Sequence, residues 1–289
     1  MPSGIIPSGY ALVAGLSNTG KSSLLNALTK TTISPVAIQP ASTRMPITAI
    51  CTPENAQICF VDTPPIESGY NYPIIDWVDV VVLVADIRTF DTDLEKPSLK
   101  QFLRRADEKP IILALGKSDF VKPDHRTAYV TKARYTNLFT GIVPVTPLLG
   151  FGISQLMDSV LKNIPLRNRL FPRNINTLNS KRFLVSEQIR TQLFGILPLE
   201  VAAETAVQIE ETSQRDGSLY VRANLVVSRA SSKGMLIGRK GQTLGQINKL
   251  STAAIREFTG EKCRLDLWVK VREAWTENKT DLLEFGYVC

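Results

Sequence analysis

One short motif constrains the fold of this chain more than any other feature of its sequence. The run 15–22, GLSNTGKS, matches the pattern G-x-x-x-x-G-K-[ST], whose backbone N–H groups surround phosphate oxygens. An apolar run at 10–14 precedes it, and residues 22–28 carry apolar side chains at helical spacing. A glycine-rich turn with a coincidental lysine would not need these flanks. The motif therefore predicts a strand, a phosphate-binding loop and a helix, in that order.

The motif also assigns chemistry to particular side chains. The Lys21 ammonium can reach the outer phosphates, and the Ser22 hydroxyl can ligate Mg²⁺. The positive end of the following helix adds to the attraction for phosphate. The predicted nucleotide-binding residues of this loop are Gly15, Asn18, Gly20, Lys21, Ser22 and Ser23.

The first half of the chain has the pattern of a doubly wound α/β fold. Short apolar runs recur, with helix-like segments between most of them, at 10–14, 57–62, 79–86, 111–115 and 142–146. Runs this continuous are typical of strands that are buried on both faces, in a parallel sheet covered by helices. Ligand sites in such sheets lie at the carboxyl ends of the strands. The residues in that position are Gly15, Asp62, 116–119 and Thr146.

Net charge differs between the two halves of the chain. Residues 1–165 hold 15 Lys and Arg against 14 Asp and Glu, whereas residues 166–289 hold 19 against 13. This excess favours a polyanionic partner for the second half, nucleic acid before a membrane surface. Residues 165–180 lack periodicity and contain two prolines. We therefore predict a first domain at 1–165, a linker at 166–180 and a second domain at 181–289.

The second half has the pattern of a small α+β unit. The predicted elements are helices at 181–195 and 240–259 and strands at 199–210, 219–228 and 263–272. The run 236–241, LIGRKG, is a tight G-x-x-G loop that opens a helix, and its glycines would let the backbone approach a phosphodiester closely. A G-x-x-G loop alone favours a plain turn. The domain order and the basic excess favour single-stranded RNA as its ligand.

Neither a membrane span nor a disulfide framework is indicated. No apolar run reaches the roughly 18 residues of a membrane span, and the N-terminus lacks a signal-type apolar core. The four cysteines have no C-x-x-C spacing and His125 is the only histidine, so we expect reduced, mostly structural thiols and no zinc site. The expected location is the cytoplasm, with peripheral contact to the inner membrane as the alternative.

Taken together, these motifs resemble the Era family of bacterial ribosome-assembly GTPases, in which a GTPase domain precedes a type II KH domain. The resemblance covers nearly the whole chain. The stretches that carry it are 15–26, the run FVDTP at 60–64, the G-x-x-G loop, the run LWVKVR at 267–272, Trp275, and the run FGYV at 285–288.

The resemblance implies GTP and GDP as ligands, with Mg²⁺. Ser22 and Thr43 would ligate the metal, and Asp62 would hold it through a water molecule. Asp119 would accept hydrogen bonds from the N1 and N2 donors of guanine, with Lys117 packed over the base. Thr146 would lie beside the base. A side-chain base for the attacking water is not evident, so the catalytic residue stays unassigned.

The resemblance also implies a partner for the second domain, namely a single-stranded segment near the 3′ end of the small-subunit ribosomal RNA. The function would be to assist assembly and maturation of that subunit, by a protein expected to be a monomer. The predicted RNA-binding residues are Lys233, Ile237, Gly238, Arg239, Lys240, Gly241 and Lys249. Ile237 has core packing as an equal alternative, and Lys249 a solvated helix face.

Three departures from the family pattern each remove a hydrogen-bonding group from the expected nucleotide site. Pro65 replaces the glycine whose N–H would meet the terminal phosphate. Gly116 replaces the asparagine of Asn-Lys-x-Asp, and Pro147 cannot donate the N–H expected at the guanine carbonyl. We expect GTP binding with reduced affinity.

Two other functions compete with this interpretation. The first is a non-catalytic RNA-binding scaffold whose GTPase domain has become a docking module, which the three departures would favour. The second is a GTPase acting at a membrane, with the basic domain as a lipid-binding patch. The second is disfavoured because we find no amphipathic stretch rich in Lys and Arg.

Several further residues receive a structural interpretation. Trp268, Val269, Phe183 and Phe194 are expected to belong to the core rather than to stack on bases. Asp86 ends an apolar run and is expected to cap a strand. His125 is expected to be exposed.

Overall fold

The structure is a computed structural model that describes residues 4–30, 33 and 45–285. The described residues form two compact units, each with its own sheet. The first unit contains the described residues up to 33 together with 46–178, and the second contains the described residues from Asn179 onward together with Met45.

The first unit alternates strands and helices. In chain order its elements are β1 (Ile6–Gly15), α1 (Lys21–Thr29), β2 (Ile47–Cys51), β3 (Gln57–Asp62), β4 (Val80–Asp86), α2 (Phe90–Asp93), α3 (Pro97–Arg105), β5 (Ile111–Gly116), α4 (Pro123–Arg134), β6 (Gly141–Pro144), α5 (Ile153–Leu161) and β7 (Leu166–Arg167). Short 3₁₀ turns join several of them, including Ile66–Ser68, Ser118–Phe120 and Pro147–Leu149.

The strands of the first unit form one sheet in the order β2-β3-β1-β4-β5-β6, with β7 beside β1. β3, β1, β4, β5 and β6 are parallel, while β2 and β7 are antiparallel to their neighbours. Every residue of β3, β4 and β5 is buried, which explains their continuously apolar sequences. The predicted doubly wound α/β fold is confirmed.

The sequence pattern did not predict β2. This strand pairs with β3 at the edge of the sheet, and its burial is interrupted at Thr48 and Cys51. The continuous apolar run that marks a central parallel strand is not required of an antiparallel edge strand.

The segment 166–180, predicted as a linker, packs mostly against the first unit. β7 pairs with the start of β1. The Gln57 side chain donates to the Phe171 carbonyl at 2.9 Å and accepts from the Phe171 N–H at 2.8 Å. The Thr177 hydroxyl donates to the Thr48 carbonyl at 2.7 Å. These hydrogen bonds fix a segment whose sequence lacks periodicity.

The second unit is the predicted small α+β fold. Its elements are α6 (Lys181–Ile196), α7 (Leu199–Glu204), β8 (Ala206–Arg215), β9 (Ser218–Val227), α8 (Ala230–Ile237), α9 (Gln242–Thr259), β10 (Cys263–Val271) and α10 (Lys279–Glu284). The sheet has the order β10-β9-β8, in which β9 is antiparallel to β8 and parallel to β10. Apolar residues of α6 and α9 pack on this sheet and form the core.

The predicted strand at 199–210 was wrong over its first half. Residues Leu199–Glu204 form the helix α7, and β8 begins only at Ala206. Pro198 precedes the first turn, the segment is rich in Ala and Glu, and Val201 and Ala202 are buried on one face. The apolar residues alone did not distinguish a short helix from a strand.

Within the part of the chain that the structure describes, no helix combines the length and apolar character of a membrane span. Cys51, Cys59 and Cys263 are free thiols. Burial raises the pKa of the Cys59 thiol to about 12, so this thiol stays protonated. Cys289 lies outside the described residues.

Candidate functional site

The loop between β1 and α1 is shaped by residues that few other types could replace. A Cβ on Gly15 would lie 2.3 Å from the Val84 carbonyl oxygen of the neighbouring strand, so only glycine fits. Gly20 has φ of 94° and Asn18 has φ of 59°, both in the left-handed region. The chain therefore curls tightly before α1 begins at Lys21.

Lys21 lies inside this loop. Its side chain is buried, and its Nζ donates to the carbonyls of Gly15 at 3.1 Å and Leu16 at 2.8 Å. Burial lowers the pKa of Lys21, while the charges of Asp62 and Glu67 oppose that shift. The loop thus holds an ammonium group beside its own backbone.

The predicted metal ligands Ser22 and Asp62 are in contact. The Ser22 hydroxyl donates to Asp62 Oδ2 at 2.7 Å, and Asp62 is fully buried at the end of β3. The hydroxyl and the carboxylate lie together beside a phosphate-binding loop. Both provide oxygen ligands of the kind that Mg²⁺ binds. Thr43, the third predicted ligand, lies outside the described residues.

The predicted base-binding residues meet after β5 and β6. The Thr146 hydroxyl donates to Asp119 Oδ1 at 3.2 Å, and the hydroxyls of Thr146 and Ser118 lie 2.9 Å apart. Ser118 and Thr146 are buried. This chain of hydroxyls fixes the orientation of the Asp119 carboxylate. Ser118 was missed by sequence reasoning, because it occupies the position in Asn-Lys-x-Asp that the pattern leaves open.

Asp86 has a second role beside the predicted one. As predicted, it ends its strand, and Oδ1 accepts from the Arg88 N–H at 3.0 Å. In addition, Oδ2 lies 3.2 Å from the Nζ of Lys117. Burial alone would raise the pKa of Asp86, but hydrogen bonds from Arg88 and Lys117 outweigh it and lower the pKa to about 2. Asp86 is ionised at neutral pH and holds Lys117, whose φ is 56°.

The three departures occupy structured positions in the same unit. Pro65 precedes the 3₁₀ turn Ile66–Ser68, and Pro147 begins the turn Pro147–Leu149. A Cβ on Gly116 would lie 3.0 Å from the Thr19 carbonyl oxygen. The phosphate-binding loop therefore lies close to the backbone of residue 116, where a larger side chain would press on it.

The G-x-x-G loop of the second unit connects α8 to α9. Gly238 has φ of 69°, and a Cβ there would lie 2.1 Å from Thr243 Oγ1. Gly241 has φ of 79° and immediately precedes α9. Arg239 and Lys240 between them are exposed, so the loop presents two cations at a helix N-terminus.

The other predicted RNA-binding residues lie on the two helices that flank this loop. Lys233 and Ile237 lie on α8 and are half-buried. Lys249 is exposed on α9. The burial of Ile237 is compatible with either of its two interpretations.

Trp268 is not a core residue, and its predicted burial was wrong. Its side chain is 62% exposed. Along β10, Cys263 and Leu265 are buried and Arg264 is exposed, and this alternation places Trp268 on the outer face. Trp268 lines a groove with Leu244, Gly245 and Asn248 of α9, and the groove reaches Gly241. Counting in steps of two along the strand would have predicted this exposure.

Phe194 is fully buried in the core of the second unit, as predicted. Phe183 and Val269 are half-buried, and Val269 packs against that core. His125 is exposed, as predicted.

Two protein families match this chain. A family described as 50S ribosome-binding GTPase matches residues 10–117, and a family described as KH domain matches residues 200–276. The first match includes the loop at 15–22 and the second includes the G-x-x-G loop.

Relatives of known name match nearly the whole chain. It is 35% identical over 289 residues to GTPase Era of Trichlorobacter lovleyi, and the match covers 97% of each chain. It is 31% identical over 293 residues to GTPase Era of Carboxydothermus hydrogenoformans, again with 97% of each covered.

Solved structures match over the same extent. A variant of Aquifex aeolicus Era bound to GDP.AlF4⁻ superposes with a TM-score of 0.87 at 27% identity, over 98% of this chain and 100% of that one. Era in complex with MgGDPNP and nucleotides 1506–1542 of 16S ribosomal RNA gives a TM-score of 0.88 at 28% identity, with the same coverage. The similarity thus includes both units.

Proposed function

This chain belongs to the Era family of GTPases, and from this premise we propose that it binds GTP with Mg²⁺, hydrolyses it to GDP and phosphate, and binds the small-subunit ribosomal RNA near its 3′ end. Its role would be to assist assembly and maturation of the small subunit. The Era structure with MgGDPNP and 16S ribosomal RNA nucleotides 1506–1542 supports this assignment.

The observation that carries the proposal for the nucleotide is the contact between Ser22 and Asp62 beside Lys21. When bound, Mg²⁺ would neutralise charge that develops on the phosphates. Ser22 and Asp62 would hold it, and Lys21 would supply a positive charge on the loop. Asp119, oriented by Thr146, would accept the hydrogen bonds of guanine.

We propose that the activity is weak because of Pro65, Gly116 and Pro147. Each lacks a donor or side chain expected in the nucleotide site. A neutral hydrogen bond contributes roughly 0.5–1.5 kcal/mol net, and bonds to charged groups contribute more. Losing two or three of them would weaken binding by a factor on the order of 10 to 1,000.

The proposed RNA site is the G-x-x-G loop with the groove between α9 and β10. Arg239 and Lys240 would contact phosphates, and Gly238 would allow the backbone to approach them closely. We add Trp268 to this site, because this residue borders the groove, its side chain is exposed, and every base has a face on which an exposed indole can stack.

The test uses an RNA oligonucleotide that corresponds to nucleotides 1506–1542 of 16S ribosomal RNA. We expect it to bind more tightly than a scrambled RNA of equal length, measured by fluorescence anisotropy at a fixed salt concentration. Equal affinity for both RNAs would leave only non-specific electrostatic binding and contradict the proposal.

The competing function is an RNA-binding scaffold that does not hydrolyse GTP, and the three missing donors are the observation that favours it. The two functions differ in phosphate release. Release of phosphate from GTP that disappears in Lys21→Ala would exclude the scaffold, while no release above background from the unchanged protein would support it.

Replacing Asp119 with asparagine is expected to change the base that the site accepts. Guanine presents donors at N1 and N2, whereas xanthine presents a carbonyl at C2, which an amide N–H can meet. We expect Asp119→Asn to weaken GDP binding about 10- to 100-fold and to favour xanthosine diphosphate. Titration calorimetry with both nucleotides measures this, and unchanged GDP affinity would show that Asp119 does not contact the base.

We further propose that the protein acts in the cytoplasm as a monomer, with membrane contact at most peripheral. Sedimentation velocity of the purified protein tests whether it is a monomer. Co-sedimentation with liposomes tests whether it binds a membrane.

A further inference from the structure

Glu67 makes a contact with the phosphate-binding loop that the proposed function does not use. Its Oε1 accepts a hydrogen bond from the Ser17 backbone N–H at 2.7 Å, although the two residues are 50 positions apart in sequence. Ser17 is the third residue of the loop at 15–22. Glu67 lies in the 3₁₀ turn that follows Pro65.

The surrounding segment holds Glu67 in this position. The Ser68 N–H donates to the Pro65 carbonyl at 2.9 Å, which closes the turn. The Tyr72 hydroxyl donates to the Pro64 carbonyl, and Tyr72 is itself buried. The approach of Glu67 to the loop therefore follows from a folded turn.

The contact places the negatively charged carboxylate of Glu67 on a loop whose motif binds anions. Burial raises the pKa of Glu67, but the hydrogen bonds from Ser17 and the charge of Lys21 outweigh it, so that the pKa lies below its usual value. The carboxylate is therefore ionised at neutral pH. It uses the same kinds of group, a loop N–H and a nearby ammonium, that the motif provides for phosphate oxygens.

We propose that Glu67 determines the preference of this site between nucleotides, by favouring the diphosphate over the triphosphate. The inference rests on the proposed function. The terminal phosphate of GTP brings further negative charge to the loop, where it is repelled by the carboxylate and competes with it for N–H donors. GDP does not bring this charge. Pro65 acts in the same direction, because it has no N–H to offer a terminal phosphate.

Glu67→Gln tests the proposal because it keeps the shape and a carbonyl acceptor but removes the charge. We expect the affinity for the non-hydrolysable analogue GMPPNP to rise about tenfold and the affinity for GDP to change less than about twofold, by titration calorimetry in Mg²⁺. Glu54→Gln is the matched control. It removes the same charge from an exposed residue of the same unit, and we expect it to change neither affinity.

The outcomes separate this inference from the proposed function. If GDP binds the unchanged protein but Glu67→Gln leaves the ratio of the two affinities as it was, the role of Glu67 is overturned and the nucleotide site stands. If neither nucleotide binds the unchanged protein, the proposed function fails and the inference fails with it. A selective gain for GMPPNP in Glu67→Gln alone supports the inference.

Discussion

Replacing Lys21 with alanine is expected to weaken GTP binding by about 100-fold or more and to remove measurable hydrolysis. A charge-assisted hydrogen bond contributes roughly 1.5–3 kcal/mol, and an ammonium on the phosphates makes more than one. Lys21 is buried within the loop, so few other side chains could replace its charge. Calorimetry measures the binding, and phosphate release measures the hydrolysis.

The control for this substitution is Lys100→Ala. Lys100 lies on α3, is exposed and pairs with Glu95. The substitution Lys100→Ala removes the same charge from the same unit, and we expect it to leave GTP binding unchanged. Because Lys21 also donates to the Gly15 and Leu16 carbonyls, thermal unfolding of both variants should be compared. A folded Lys21→Ala protein that binds GTP normally would contradict the assignment of the loop.

Replacing both Arg239 and Lys240 with alanine is expected to weaken RNA binding about tenfold or more. Both side chains are exposed on the G-x-x-G loop, where each can neutralise one phosphate. For single-stranded nucleic acid, the logarithm of the affinity falls with the logarithm of salt by about 0.7 for each neutralised phosphate. The double variant loses two such contacts, so the slope of log affinity against log salt should decrease in magnitude by about 1.4.

The matched control removes Lys100 and Lys132 from the first unit. Both are exposed and each takes part in a surface ion pair, so the net charge changes by the same amount away from the loop. If the control variant lowers the RNA affinity and the magnitude of the salt slope as much as the Arg239 and Lys240 double variant does, binding depends on total charge. The G-x-x-G loop would then have no special role.

The parts of the site that could be predicted are those carried by local sequence. The loop at 15–22 needs glycines for its backbone, a lysine for charge and a hydroxyl at the start of a helix, all within eight positions. The central strands could also be predicted from the sequence, because burial on both faces requires continuous apolar side chains. These elements lie where the sequence predicts them.

The parts that could not be predicted depend on contacts between distant segments. The approach of Glu67 to Ser17 is set by a turn that follows β3. The pairing of Asp86 with Lys117 joins the ends of two neighbouring strands. In both cases the sequence shows a charged residue, but only the folded structure determines which residue it contacts.

Trp268 was misjudged for a different reason. Its size and apolar character favoured the core, although its position in the alternation of β10 places it outside. For a strand with one solvated face, the position in the period of two is the stronger evidence.

The central claim is that the guanine-nucleotide site survives Pro65, Gly116 and Pro147, and titration calorimetry with GTP, GDP and ATP in Mg²⁺ tests it most directly. We predict saturable binding of GTP and GDP below about 1 mM and no binding of ATP, because Asp119 meets donors that adenine lacks. Absence of GTP and GDP binding to the folded protein at that concentration, or equal binding of ATP, would contradict the account.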